Sequence, residues 1–188
     1  LGPVAAANAG ATEAVVRLDG FLNLSRIDQE NTFRSLVARR WLLGVSDGAM
    51  PAPIVDGFAA YLERPVLARQ ARQASLAQQA YLNGELPGWG DLLADPDATA
   101  DLDPDAAQAA RVAAASFLIE RYGANMVGDL AAGFRDAGDA TPAALVSELT
   151  GQPVERLDAA WEDFIAVWLA GGWRSNAFAG LDLQPAQD

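Results

Sequence analysis

The sequence predicts a mainly α-helical domain with one or few β-strands near its N-terminus. Between Ser25 and Gly172, most segments repeat apolar residues at steps of three and four, the spacing of one helical face. These segments start at Ser, Thr, Asp or Pro and stop at Gly or Asn, which are the usual helix boundary residues. The segment from Ala14 to Leu24 differs, because its apolar and polar residues alternate with the two-residue period of a strand.

Composition favours a single domain that does not bind nucleic acid. The chain has 188 residues, of which 51% are hydrophobic, enough for one packed core. Thirteen basic residues, all arginine, face twenty-five acidic ones, giving a net charge of -12. Such a surface repels phosphate backbones and anionic lipids. No apolar run approaches the ~20 residues of a membrane-spanning helix, so no transmembrane segment is expected.

Three missing residue types exclude several kinds of catalysis. The chain has no Cys, His or Lys, so it lacks a thiolate, an imidazole base and a Schiff-base amine. Carboxylates, hydroxyls, tyrosines and arginines remain. The segment from residue 95 to residue 105 is rich in aspartate, but it lacks the glycine and the glutamate of an EF-hand loop. Its aspartates are therefore expected to form turns and helix caps. We therefore predict neither a metal nor a cofactor.

The chain divides into three predicted parts. Residues 1–11 are rich in Ala and Gly and are expected to be a flexible leader. Residues 12–172 form the single mainly helical domain, which begins with the predicted strand. Residues 173–188 are expected to be a tail that docks through Phe178, Leu181 and Leu183.

Seven helices are predicted in chain order. They run from Ser25 or Asp28 to Gly44, from Pro51 to Glu63, from Pro65 to Leu82, from Asp105 to Tyr122, from Asn125 to Arg135, from Thr141 to Gly151 and from Pro153 to Gly171. The first is expected to bury Phe33, Leu36, Val37 and Trp41. Residues 86–105, rich in Pro, Gly and Asp, are expected to form a loop with one short helical turn. The arginines and glutamines of the third helix are expected to form a solvated face.

The segment Pro51–Glu63 carries a more specific pattern. It resembles the glutamate helix of gluzincin-type, or peptidase MA-like, zinc metallopeptidases. The sequence pattern of that helix in the family is roughly Pro-x-Trp-Leu-x-Glu-Gly-x-Ala-x-Tyr. Pro51, Gly57, Ala59 and Tyr61 match, and Asp56 stands where the family has its metal-binding Glu.

The second half of the chain also resembles this family. Residues 117–123, 149–151 and 154–161 are similar to the family's final helices, so the resemblance covers about Thr32 to Leu169. It implies the helical C-terminal part of a gluzincin-like domain. Where the family often has a tyrosine upstream of Phe117, this sequence has Gln108 to Val112.

The resemblance implies a zinc site that has been lost. The family's two histidines lie four apart on a helix about eighteen residues upstream, with a glutamate base between them. That spacing places Phe33 and Val37 at the ligand positions and Arg34 at the base. A hydrocarbon has no lone pair for a metal, and a guanidinium stays protonated. Phe33, Arg34, Val37, Asp56 and Tyr61 would then line a vestigial cleft, where Arg34, Arg39 or Arg40 offsets the charge of Asp56.

The expected function is therefore that of an inactive peptidase homologue. It would act as a non-catalytic binding or scaffold module for a protein or a small ligand, and the resemblance implies an extracytoplasmic or secreted location. Two alternatives stay open. The chain is either a hydrolase that uses carboxylates and Tyr61 without zinc, or a supporting segment of a larger protein.

Overall fold

The computed structural model describes residues 5–7, 14–138 and 140–174, and this part of the chain is mainly helical. Two three-residue strands, β1 (Ala5–Ala7) and β2 (Ala14–Val16), pair antiparallel. Most of the predicted leader and residues 175–188, with the three proposed anchors of the tail, lie outside the described residues.

Nine α-helices follow in the described part of the chain. They are α1 (Leu18–Leu22), α2 (Arg26–Val45), α3 (Ala52–Tyr61), α4 (Leu67–Leu82), α5 (Trp89–Ala94), α6 (Pro104–Tyr122), α7 (Asn125–Ala137), α8 (Pro142–Thr150) and α9 (Val154–Val167). A 3₁₀ turn, Pro96–Thr99, follows α5, and a π-helical turn, Trp168–Gly172, follows α9. None of these helices is long and apolar enough to cross a membrane.

The prediction of a strand from Ala14 to Leu24 is wrong beyond Val16. The backbone N–H of Phe21 donates to the carbonyl of Arg17 at 2.9 Å, which closes a helical turn where the strand was expected to continue. Leu18 and Leu22 are four residues apart, a spacing that suits a helix as well as alternation does.

Several predicted helix boundaries are confirmed because they depend on local hydrogen bonds. Ser25 caps α2 by accepting from the backbone N–H of Asp28 at 3.2 Å, and Thr141 caps α8 through the N–H of Ala144. Asp103 caps α6 through the N–H of Asp105 at 2.8 Å. Gly151 ends α8 in the left-handed conformation, with φ of 66°, which glycine adopts without strain.

The centre of the molecule is α6, which packs against α3, α4, α5, α7 and α9. Its small side chains allow these neighbours to approach closely, and seven of its alanines are buried. The closest approach is to α3, because a Cβ added to Gly57 would lie 2.7 Å from the carbonyl oxygen of Arg111. Gly57, which the sequence motif contains, is thus a packing requirement.

An aromatic cluster joins α6 to α5 and α9. The ring of Phe117 lies 5.5 to 6.2 Å, between centroids, from the rings of Trp89, Tyr122, Trp161 and Phe164. Trp89 is fully buried, and its Nε1 donates to Asp158 at 2.9 Å. Residues 86–105, predicted as a loop with one turn, therefore contribute the short core helix α5.

The prediction that α2 buries Phe33, Val37 and Trp41 is wrong. These side chains are 54%, 68% and 50% exposed, whereas Asn31, Leu36, Ala38 and Leu42 are buried. Asn31 determines this orientation, because its amide pairs with the backbone of Arg64. The Nδ2 group donates to the carbonyl at 3.0 Å, and the N–H of Arg64 donates to Oδ1 at 2.7 Å.

Candidate functional site

The five residues of the predicted cleft lie in three different surroundings. Phe33, Arg34 and Val37 line an open apolar groove on the outer side of α2, together with Trp41 and Leu62. Arg34 bonds to Glu30 through Nε at 3.1 Å and Nη2 at 2.9 Å. The edge of the Phe21 ring packs against Phe33 at 5.1 Å between centroids.

Asp56 faces a different side of α2. Arg39 donates from Nη1 to Asp56 Oδ1, and its Nε donates to Ser35 Oγ at 3.2 Å. Of the three arginines considered as partners for Asp56, Arg39 is the one that forms the ion pair. The pair is about two-thirds buried, and it joins α2 to α3.

Tyr61 lies at the end of α3 and packs against the core. Burial raises the pKa of its hydroxyl, and the negative charge of Glu120 on α6 raises it further. Neither the outer groove nor the cavity described next is lined by Tyr61 or Asp56.

A second, more enclosed cavity of about 250 Å³ lies between the end of α3, α4, α6 and the turn after α9. Its wall combines polar, charged and indole side chains. The lining residues that carry its chemistry are Glu63, Arg64, Arg69, Gln70, Trp168 and Trp173. Asn31, Gln73 and Gln108 also line it. We call this space the indole cavity.

Glu63 is the one carboxylate of the indole cavity. Burial raises the pKa of this carboxyl above its usual value, more than the positive charges of Arg69 and Arg39 lower it, and Asp28 adds to the increase. The side-chain carboxylate of Glu63 forms no hydrogen bond or ion pair with another described residue. A carboxylate in such a setting attracts a cation or a hydrogen-bond donor.

Two further polar atoms in this cavity lack partners. Trp168 is 5% exposed, and its Nε1 has no acceptor among the described residues. The Oε1 atom of Gln70 is buried and has no donor. Most buried polar groups in proteins are hydrogen-bonded, so the wall of this cavity contains a donor and an acceptor that lack the bonds such groups usually make.

The two arginines of the indole cavity are engaged elsewhere. Arg64 donates to Glu30 at 2.9 Å, and Arg69 donates to Asp28 at 2.5 Å. The hydroxyl of Ser25 and, next, the Arg69 guanidinium lower the pKa of the Asp28 carboxyl. The guanidinium groups of Arg64 and Arg34 lower the pKa of the Glu30 carboxyl. The guanidinium groups are thus held at the rim by exposed acids.

Within the described ranges, no group of three or more acidic side chains is placed to hold a metal ion. Asp95 and Asp103, which follow α5, cap the local backbone as predicted, whereas the Asp105 side chain bonds to α4. Asp95 accepts from the N–H of Asp97 at 2.8 Å, and Asp105 pairs with Arg72 at 3.2 Å.

The fold and this cavity define a mainly helical domain with a partly enclosed polar site. No protein-family model, curated protein or solved structure matches the chain.

Sequence reasoning did not identify the indole cavity. One signal of the cavity in the sequence is the face of α4 that carries Arg69, Gln70 and Gln73. The sequence analysis predicts this face to be solvated, whereas these three residues line the cavity. The other signal was the segment from Gln108 to Val112, where the gluzincin family often has a tyrosine and this chain has none. Its residues Gln108, Ala109 and Val112 line the cavity. Sequence spacing could not reveal that these two faces meet beside Trp168.

Proposed function

We propose that this protein is a non-catalytic binding module that holds a small organic ligand in the indole cavity. The observation that carries the proposal is a cavity whose lining residues include three polar groups without partners: the accessible carboxylate of Glu63 and, buried in the wall, Oε1 of Gln70 and Nε1 of Trp168. A partly apolar cavity with a few convergent polar groups is the usual form of a ligand site.

The wall of the cavity supports binding rather than catalysis. Its described lining contains one carboxylate and no Ser, Thr or Tyr hydroxyl. A carboxylate pair or a hydroxyl activated by a base would be the expected machinery of a hydrolase that lacks His, Cys and Lys. Glu63 alone has no such companion there.

Kinship with gluzincins is the second part of the proposal, and an extracytoplasmic location belongs with it. Support comes from the adjacency of α2 and α3 and from Ser35 and Arg39, which lie four residues apart and connect to Asp56. The resemblance placed the former zinc ligands at Phe33 and Val37, and each of these lies two residues before Ser35 and Arg39, respectively. In this proposal, the Arg39 guanidinium occupies the place of the former metal.

The proposed binding is tested by NMR on ¹⁵N-labelled protein. Three compounds with similar aromatic bodies are titrated separately: 2-phenylethanol, 3-phenylpropionate and 2-phenylethylamine. At least one of them is expected to shift the indole N–H signal of Trp168, while the signal of Trp89, which already bonds to Asp158, stays unchanged. The Gln70→Leu variant is expected to bind the same compound more weakly.

Absence of a shift with all three compounds would contradict the proposed binding cavity. The non-catalytic part has its own test, a screen of the protein with peptide and ester substrates. Turnover that is lost in Asp56→Asn would overturn it.

A further inference from the structure

We infer that the ligand of the indole cavity is a small organic ammonium compound, with its charged group between Glu63 and Gln70 and its apolar body against Trp168 and Trp173. This inference rests on the proposed function, because it names the chemical class that the same cavity would bind.

The free atoms of the cavity favour a ligand that donates hydrogen bonds. Glu63 offers two carboxylate oxygens that bond to no other described residue, and Gln70 offers Oε1, so a ligand can donate to three acceptor atoms. An ammonium group has three N–H donors and can satisfy both acceptors at once. Charge-assisted bonds of this kind are stronger than neutral ones, which suits a desolvated carboxylate.

An anionic ligand would need the arginines, and these are already paired. Such a ligand would share Arg64 and Arg69 with Glu30 and Asp28, whose carboxylates already accept from these guanidinium groups at 2.9 Å and 2.5 Å. A carboxylate or phosphate would also meet the negative charge of Glu63 in a partly desolvated space. Both effects oppose anion binding.

The indoles and the overall charge favour the same class of ligand. Trp168 and Trp173 are 5% and 8% exposed, and an indole face attracts a cation. The Arg174 guanidinium lies 5.1 Å from the centre of the Trp173 ring, an example of this attraction within the molecule. The net charge of -12 attracts cations from solution.

The size of the cavity limits the ligand to a small molecule. Its volume of about 250 Å³ lies just below the usual range of ligand cavities, ~300–1,000 Å³. An amine with one aromatic ring or a short aliphatic chain fits this limit, whereas a polypeptide segment does not.

Isothermal titration calorimetry at pH 7.5 tests the inference with the same three compounds. 2-Phenylethylamine is expected to bind at least ten times more tightly than 2-phenylethanol, and 3-phenylpropionate is expected to bind most weakly. The Glu63→Gln variant is expected to lose the tenfold preference for the amine and to retain its affinity for the alcohol. Glu155→Gln, an exposed acid on α9, is the matched control and should bind as the unaltered chain does.

A structural role of Glu63 alone would not change the order of the three affinities. Circular dichroism checks that Glu63→Gln remains folded, and Trp168→Phe is a second variant that should weaken the binding of the amine and the alcohol alike. Lowering the pH until Glu63 is protonated should abolish the preference of the unaltered chain for the amine. The Glu63→Gln variant, which lacks this preference, should show no such change.

The outcomes separate this inference from the proposed function. If the alcohol or the propionate binds as tightly as the amine, the ammonium inference is overturned and the binding cavity stands. If Glu63→Gln keeps the preference for the amine, the inference is also overturned. If none of the three compounds binds, both fall.

Discussion

At the scale of single residues, Glu63 is a carboxylate whose partial burial opposes folding at neutral pH. A partly buried carboxylate loses hydration, and this residue receives no hydrogen bond from another described residue in return. Its pKa in the folded protein is raised above the usual value of 4.5, so the folded state binds more protons than the unfolded state between these two values. Its contribution to stability therefore decreases as the pH rises through that interval.

We predict that Glu63→Gln increases the free energy of unfolding at pH 7 and leaves it nearly unchanged at pH 4. The glutamine resembles the protonated acid, so the difference should disappear where Glu63 is protonated in both states. Urea denaturation measured from pH 4 to pH 8 checks this prediction. A decrease in stability at pH 7 would show that Glu63 has a favourable partner.

Residues that act on their own neighbours in sequence were predictable, and those that act across the fold were not. Ser25, Asp103 and Thr141 cap helices through backbone groups two or three residues away, so their roles follow from local sequence. Asn31 bonds to Arg64, thirty-three residues away, and Glu63 acquires its raised pKa from burial. Neither effect leaves a local pattern.

At the scale of elements, α2 shows why helical spacing alone did not determine which face is buried. Its apolar residues form two stripes, one containing Ala38 and Leu42 and the other containing Phe33, Val37 and Trp41. Both have the spacing of a core face. The choice between them depends on the bonds of Asn31 and on the Arg39–Asp56 pair, which place polar residues of α2 toward α3 and the turn that follows it.

We predict that Val37→Ser changes the free energy of unfolding by less than about 0.5 kcal/mol, because this side chain is 68% exposed. Leu42→Ala, on the buried stripe, should cost about 2–5 kcal/mol. Chemical denaturation of the two variants measures the difference. Equal costs at the two positions would contradict the orientation of α2.

The contact between α3 and α6 depends on Gly57. A Cβ at this position would lie 2.7 Å from the carbonyl oxygen of Arg111, so the helices must separate. We predict that Gly57→Ala destabilises the fold by about 1–3 kcal/mol, although alanine favours a helix.

Gly128 in α7 is the matched control for Gly57. A Cβ there would lie 3.7 Å from Trp41 Cη2, an ordinary contact distance. Gly128→Ala should stabilise the protein by up to about 1 kcal/mol through its helix propensity. Thermal unfolding of both variants gives the comparison, and the packing explanation fails if the two substitutions have the same sign.

At the scale of the whole molecule, the mainly helical class was predictable, and the arrangement of the helices was not. Strong periodicity and caps located most helices to within a few residues. The central position of α6 depends on alanines that pack on nearly all sides, and α5 depends on burial of Trp89 against a helix that follows sixty residues later. These are contacts between segments distant in sequence, which no local pattern encodes.

The net charge of -12 also acts on the whole molecule. Excess like charge destabilises a compact state, and salt screens it within a Debye length of ~8–10 Å at physiological strength. We predict that 0.3 M NaCl stabilises the protein by about 1 kcal/mol, or about 3 °C in Tm for a chain of this length. Calorimetry in NaCl and in KCl checks it; a lower Tm in both salts would show that attractive ion pairs dominate.

The position of Trp168 and Trp173 in the chain has a consequence for biosynthesis. Nascent polypeptides fold from the N-terminus as they leave the ribosome. The other lining residues, from Asn31 to Val112, emerge well before these two indoles. The binding function proposed for this chain would therefore be acquired only after the turn that follows α9 has been synthesised, and a product that stalls after α8 would capture no amine.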